Sequence, residues 1–82
     1  MSSKLRPGTL LKSRIPYTTG MPHWHEIPSN EILIVLSDIF FDDQNYASLT
    51  LLSCMGIVTW KRGNRIQLED AVLNIHVVLN EI

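Results

Sequence analysis

Residues 31–62 read EILIVLSDIFFDDQNYASLTLLSCMGIVTWKR, and this stretch decides the fold class. Two apolar, β-branched runs flank a polar loop, and the second run folds back at Gly56. Valine, isoleucine, phenylalanine, tryptophan and threonine suit a pleated, half-buried surface, so the runs predict strands. One strand is expected from Ile32 to Phe41. Its first half, ILIVL, is continuously apolar, which marks a strand buried on both faces or central in its sheet. Asp42, Asp43, Gln44 and Asn45 predict a loop. Ser48 to Met55 predicts the next strand, with Leu49 and Leu51 on one face and Leu52 and Cys54 on the other. Gly56 allows a tight turn, and Ile57 to Arg62 returns as a further strand.

Upstream, Pro7-Gly8 signals a turn and Thr9 to Ile15 a first strand, which Pro16 ends because proline cannot donate to a ladder. Pro16 to Asn30 reads as a long irregular loop carrying Tyr17, Trp24 and Ile27. Loops of this length are uncommon unless they are functional or tied down. Trp24 is expected as a plug under the barrel, with an exposed anchor as the alternative, and Tyr17 nearer a contact surface. Downstream, Gly63-Asn64 signals another turn. Leu68, Val72, Ile75, Leu79 and Ile82 recur at helical spacing, whereas Ile75, Val77 and Leu79 also alternate. The reading is a short turn or 3₁₀ segment around Leu68 to Val72, then a strand from Ile75 to Glu81, with a short C-terminal helix as the alternative.

The chain has 82 residues, which makes residues 1–82 a single domain near the small end of what folds without staples. Partner contacts or self-association are expected to add what a small core lacks. The formal net charge of −1 lacks the basic excess of dedicated nucleic-acid binders. Cys54 is the one cysteine, which excludes an internal disulfide, and its apolar neighbours predict a small buried hydrophobe. The N-terminal MSSKLRPGTLLKSR lacks an apolar signal core, and Ile32 to Leu36 falls far short of the ~20 residues of a membrane helix. A location in the cytoplasm, or in a particle assembled there, is expected, with no membrane.

The order of these elements looks like an SH3-like barrel: mainly β, partly open, about five strands. PGTLLKS, EILIVLS and LTLLSCMGIVTW resemble small proteins encoded by tailed phages, notably those of marine bacteria. The resemblance rests on Pro7, Gly8, Leu10 and Leu11 before the first strand and on Gly56, Ile57 and Trp60 in the later hairpin. It implies a small virion component or an accessory protein that binds a host or phage protein. Peptide-binding SH3 domains carry a tryptophan opening the third strand and a late proline. Here Ser48-Leu49 occupy the first position and no proline follows residue 28, so proline-rich peptides are not the expected ligand.

Three constellations of side chains are candidates for chemistry. His23-Trp24-His25-Glu26 offers two imidazoles and a carboxylate, but a defined metal site needs three or four ligands with support, and only His76 remains elsewhere. Asp38, Asp42 and Asp43 lack the spacing of a calcium loop and the burial that acid–base chemistry needs. No nucleophile elbow or phosphate loop is present. No catalytic residue, metal or cofactor is therefore assigned, and no enzyme activity is expected. Trp60, Lys61, Arg62 and Arg65 form a basic, aromatic tip that supports nucleic-acid contact as the alternative function. The expected function is a non-enzymatic protein-interaction module using Tyr17, Trp24, Ile27, Phe40 and Phe41, because buried aromatic anchors supply most interface energy.

Overall fold

The computed structural model describes residues 5–19 and 25–80. The element order is β1 (Leu10–Ser13), β2 (Tyr17–Thr19), β3 (His25–Ile27), β4 (Ile32–Val35), β5 (Phe40–Phe41), β6 (Ala47–Ser53), β7 (Gly56–Arg62), α1 (Arg65–Ile75) and β8 (His76–Val78). The fold is mainly β, as expected: a curled, partly open barrel with one short helix near its C-terminal end. Neighbouring strands run β7–β6–β4–β1–β8, and β5 continues alongside β6 beyond β4. All these pairs are antiparallel.

The hairpin of β6 and β7 is the longest pairing, running in register from Ala47↔Arg62 to Ser53↔Gly56. Its turn depends on Gly56, whose φ of +121° is a conformation that side chains with a Cβ rarely adopt. Ser53 reinforces it, because its hydroxyl donates to the Gly56 carbonyl at 3.0 Å and accepts from the Met55 N–H at 3.1 Å. Leu49, Leu51, Val58 and Trp60 point inward and meet Leu11, Leu33 and Val35 from β1 and β4. Helix α1 contributes Leu68 and Val72 to the same core. It links β7 to β8, the two outermost strands, and so spans the open side of the curl.

Three expectations need correction. The segment after Pro16 is not an irregular loop: β2 and β3 form a second small sheet, with Tyr17↔Ile27, Thr18↔Glu26 and Thr19↔His25 in register. Tyr17, Thr18 and Thr19 are β-formers, and Pro16 and Pro28 bracket the hairpin rather than interrupt it. The strand expected from Ile32 to Phe41 is two strands, because the chain arches between residues 36 and 39 before β5 pairs with Ala47 and Ser48. The segment around residues 68–72 is an eleven-residue α-helix, not a turn or 3₁₀ segment. Asn64, read only as a turn residue, is its N-cap and accepts the Gln67 N–H at 2.9 Å. Beyond the helix the β-branched residues do enter a strand, although it is shorter than expected.

Candidate protein-contact face

Strand pairing builds a continuous row across the outside of the sheet. Leu10 pairs with Ile34, Ile34 with Leu52, and Leu52 with Ile57. Directly paired residues share a face, so these four side chains stand side by side. Leu79 extends the row, since its N–H donates to the Leu10 carbonyl at 2.8 Å. A second row places Lys12 between Ile32 and Val77, and a third sets Thr50 opposite Thr59 with Leu36 beside it. Phe40 faces Ser48, whose other partner is Lys61. Ile32, Leu36, Phe40, Leu52, Ile57, Val77 and Leu79 are each 38–52% exposed. An apolar face of this breadth on a chain of this size is a recognised mark of an interaction surface.

The inner side carries a polar cluster instead. Tyr17, Trp60 and His76 meet edge-to-face, with ring centroids 5.3–5.7 Å apart. His76 is buried; its Nδ1 lies 2.8 Å from the Val72 carbonyl and its Nε2 2.7 Å from the Tyr17 hydroxyl. A carbonyl can only accept, so Nδ1 carries the proton and Nε2 accepts from the tyrosine. Burial lowers the His76 pKa, against a smaller upward pull from the Val72 carbonyl. Burial likewise pushes the Tyr17 hydroxyl up to about 12, with the neighbouring Trp60 indole opposing and Glu31 adding to the rise. Among the described residues, the buried Trp60 Nε1–H finds no hydrogen-bond partner. Both shifts keep the Tyr17–His76 pair neutral at ordinary pH. The pair is a structural tie between the β2–β3 hairpin and the helix end.

The residues expected at a contact surface therefore divide. Phe40 and Phe41 are exposed, Phe40 on the outer face and Phe41 on the opposite side of β5. Ile27 is buried in the core, because its position on β3 turns it under the sheet. Tyr17 is half-buried, packed against the core and bonded to His76. It does line an open groove of about 780 Å³ with Pro16, Ile27, Pro28 and Met55. Trp24 and His23 lie outside the described residues.

The basic tip also looks different in three dimensions. Trp60 faces inward and is buried, so no base can stack on it. Lys61 pairs with Asp42 at 2.8 Å, Arg65 with Glu69 at 3.3 Å, and the Arg62 guanidinium sits 5.2 Å from the centre of the Trp60 ring. Asp42 is held below the usual carboxylate range by Lys61 first and by the Tyr46 and Gln44 N–H groups, which its Oδ1 accepts at 2.9 and 3.0 Å. That carboxylate locks a turn. Among the described residues, no group of three or more His, Cys, Asp or Glu is placed to hold a metal, and no helix is long and apolar enough to cross a membrane.

Cys54 departs from its expected burial. It sits at the rim of the β6–β7 turn, exposed, with Sγ 2.7 Å from a Glu31 carboxylate oxygen. The carboxylate accepts from the thiol and raises its pKa, which disfavours the nucleophilic thiolate.

No protein-family model, curated protein or solved structure matches the chain. The sequence reading missed Leu10, Ile34, Leu52 and Ile57 as surface residues. The signal was present in ILIVL: its continuous hydrophobicity predicts two covered faces, whereas the fold covers only the Leu33 and Val35 side.

Proposed function

We propose that the chain is a non-enzymatic protein-interaction module that works through the outer face of its main sheet. The observation that carries this reading is the in-register apolar row Leu10–Ile34–Leu52–Ile57. Solvent gains nothing from such an alignment, whereas a docking partner buries it as one strip. Phe40 at one end of the face supplies an aromatic anchor of the kind that dominates interface energy. The setting implied by the sequence resemblance is a small virion component or a phage accessory protein that contacts a phage or host protein.

The test is co-purification from the cells that make the protein, comparing the tagged parent with a Leu52→Lys/Ile57→Lys double variant. Both positions are exposed, so the variant is expected to keep the parental melting temperature. A partner recovered with the parent and lost with the variant supports the reading. Equal recovery with both moves the contact away from this face.

A further inference from the structure

The β2–β3 hairpin sits on the fold without belonging to its main sheet, since its two strands pair only with each other. Ser13 fixes its base: the hydroxyl donates to the Pro28 carbonyl at 2.6 Å, and the Asn30 N–H donates to the Ser13 carbonyl at 2.8 Å. Beyond that base, among the described residues, the Tyr17–His76 bond is the one hydrogen bond from either strand to the rest of the fold. The remaining hold is apolar, from Ile27 in the core and the Tyr17 ring on Trp60. Beneath the hairpin lies the outer edge of β7. Thr50 spends its carbonyl on the Leu36 N–H and its N–H on the Ser37 hydroxyl, both on the β4 side. Thr59, paired with Thr50, therefore exchanges no bond with it and turns its own N–H and carbonyl to the opposite edge of β7. Thr18 and Thr19 of β2 lie along that edge, across a groove of about 330 Å³ from Thr59 and Lys61. We propose that the hairpin is an acid-released cover over the free edge of β7, with His76 as its latch. This device is independent of the outer face. Once uncovered, the edge is a template for an incoming strand.

The latch is a cluster with one acceptor. His76 Nδ1–H is spent on the Val72 carbonyl, so Nε2 is the only lone pair the ring offers, and the Tyr17 hydroxyl uses it. Beside the Tyr17 oxygen stands a second donor, the Trp60 indole. A proton on Nε2 removes the acceptor. If the tyrosine turns to accept instead, its own hydrogen faces another donor and the charge stays buried. No carboxylate bonds to that charge among the described residues. The nearest charged groups on the packed elements are Arg62 of β7, over the Trp60 ring, and Arg14 after β1, whose guanidinium reaches the Asn74 carbonyl at 3.5 Å. Glu31 acts on Tyr17, and the Val72 carbonyl favours the charged ring less than burial opposes it. When the hairpin lifts, water reaches Nε2 and solvates the imidazolium. Protons therefore bind the open form more tightly, and acid raises its population.

Amide hydrogen exchange of the full chain tests this, followed by NMR from about pH 7.5 to 5 and corrected for intrinsic rates. The β2 and β3 amides are expected to exchange at least about tenfold faster than those of the β6–β7 hairpin, because they open without global unfolding. Their opening constant should rise at least about threefold as pH falls through 6.5, the ordinary histidine value. The buried Trp60 Nε1–H, under the cover, should follow the same profile. His76→Gln, uncharged throughout, is expected to flatten it, and His76→Phe is the second variant should the first not fold. A common opening constant for the two hairpins overturns the proposal, as does a pH-independent one for β2 and β3 in the parent. An indole proton that stays protected also overturns it, because the hairpin then frays without uncovering β7. So does a pH dependence that survives in a folded His76 variant, which places the titration on another group such as His25 of β3.

Discussion

The Tyr17 hydroxyl donates to Nε2 of His76 across 2.7 Å, joining residues 59 positions apart in the chain. Because His76 Nδ1 is committed to the Val72 carbonyl, one neutral imidazole ties the β2–β3 hairpin to the helix and to β8. Protonation of Nε2 removes the acceptor and sets two donors against each other unless the tyrosine turns. The tie is therefore built for neutral histidine.

Acid should loosen it, with a definite sign. Burial holds the folded His76 pKa below its ordinary 6.5, so the unfolded chain takes up the proton more readily. The stability from this site is complete above pH 6.5 and is lost as pH falls through that value toward the lower folded pKa. Melting curves from about pH 8 to 5 should show a falling midpoint in the parent and a flatter profile in His76→Phe. Identical profiles would place the titration elsewhere.

Tyr17→Phe isolates the hydroxyl. The ring contacts with Trp60 and His76 remain, but a buried Nε2 loses its donor, at a cost of about 1–3 kcal/mol. Chemical denaturation measures the difference, and a change below ~0.5 kcal/mol would mean that water replaces the hydroxyl at no penalty.

Gly56→Val should destabilise by about 1 kcal/mol or more. Among the described residues, a Cβ there meets only the His25 ring at 3.9 Å, an ordinary contact. The cost comes from forcing a β-branched residue to φ +121°, so a thermal melt matching the parent would contradict the turn.

Leu51 and Leu52 are adjacent and should behave oppositely. Leu51 is fully buried, and Leu51→Ala should cost about 2–5 kcal/mol, enough to unfold a marginal domain. Leu52→Ala, on the outer face, should stay within ~0.5 kcal/mol in dilute protein. Equal losses would contradict the strand's facing.

Cys54 should alkylate slowly for an exposed thiol, because Glu31 holds its proton. Glu31→Gln removes the negative charge and should speed modification by iodoacetamide near pH 8. An unchanged rate would mean that the thiol does not feel the carboxylate.

Local chemistry in the sequence was enough for the β6–β7 hairpin, since glycine between two apolar runs leaves few alternatives, and the Leu49/Leu51 face followed from period-two geometry. Through ILIVL it predicted cover on both sides of β4, whereas the fold covers only the Leu33 and Val35 side. The helix was half-legible: Leu68 and Val72 held its stripe, but the next buried position in that series is His76, which opens β8 and is a polar residue that a hydrophobic count passes over. Cys54 looked buried by its neighbours and is exposed, because one position along the chain moves a side chain from core to rim at a strand end. Only the tertiary structure decided which residues are available for contact. Ile27, Trp60 and Phe40 are all large and apolar in sequence, but the sheet's curl buries the first two and leaves the third in solvent. Burial depends on strand pairing between segments far apart, as does the row from Leu10 to Ile57, and a linear pattern carries the face of each residue but not its neighbour across the ladder.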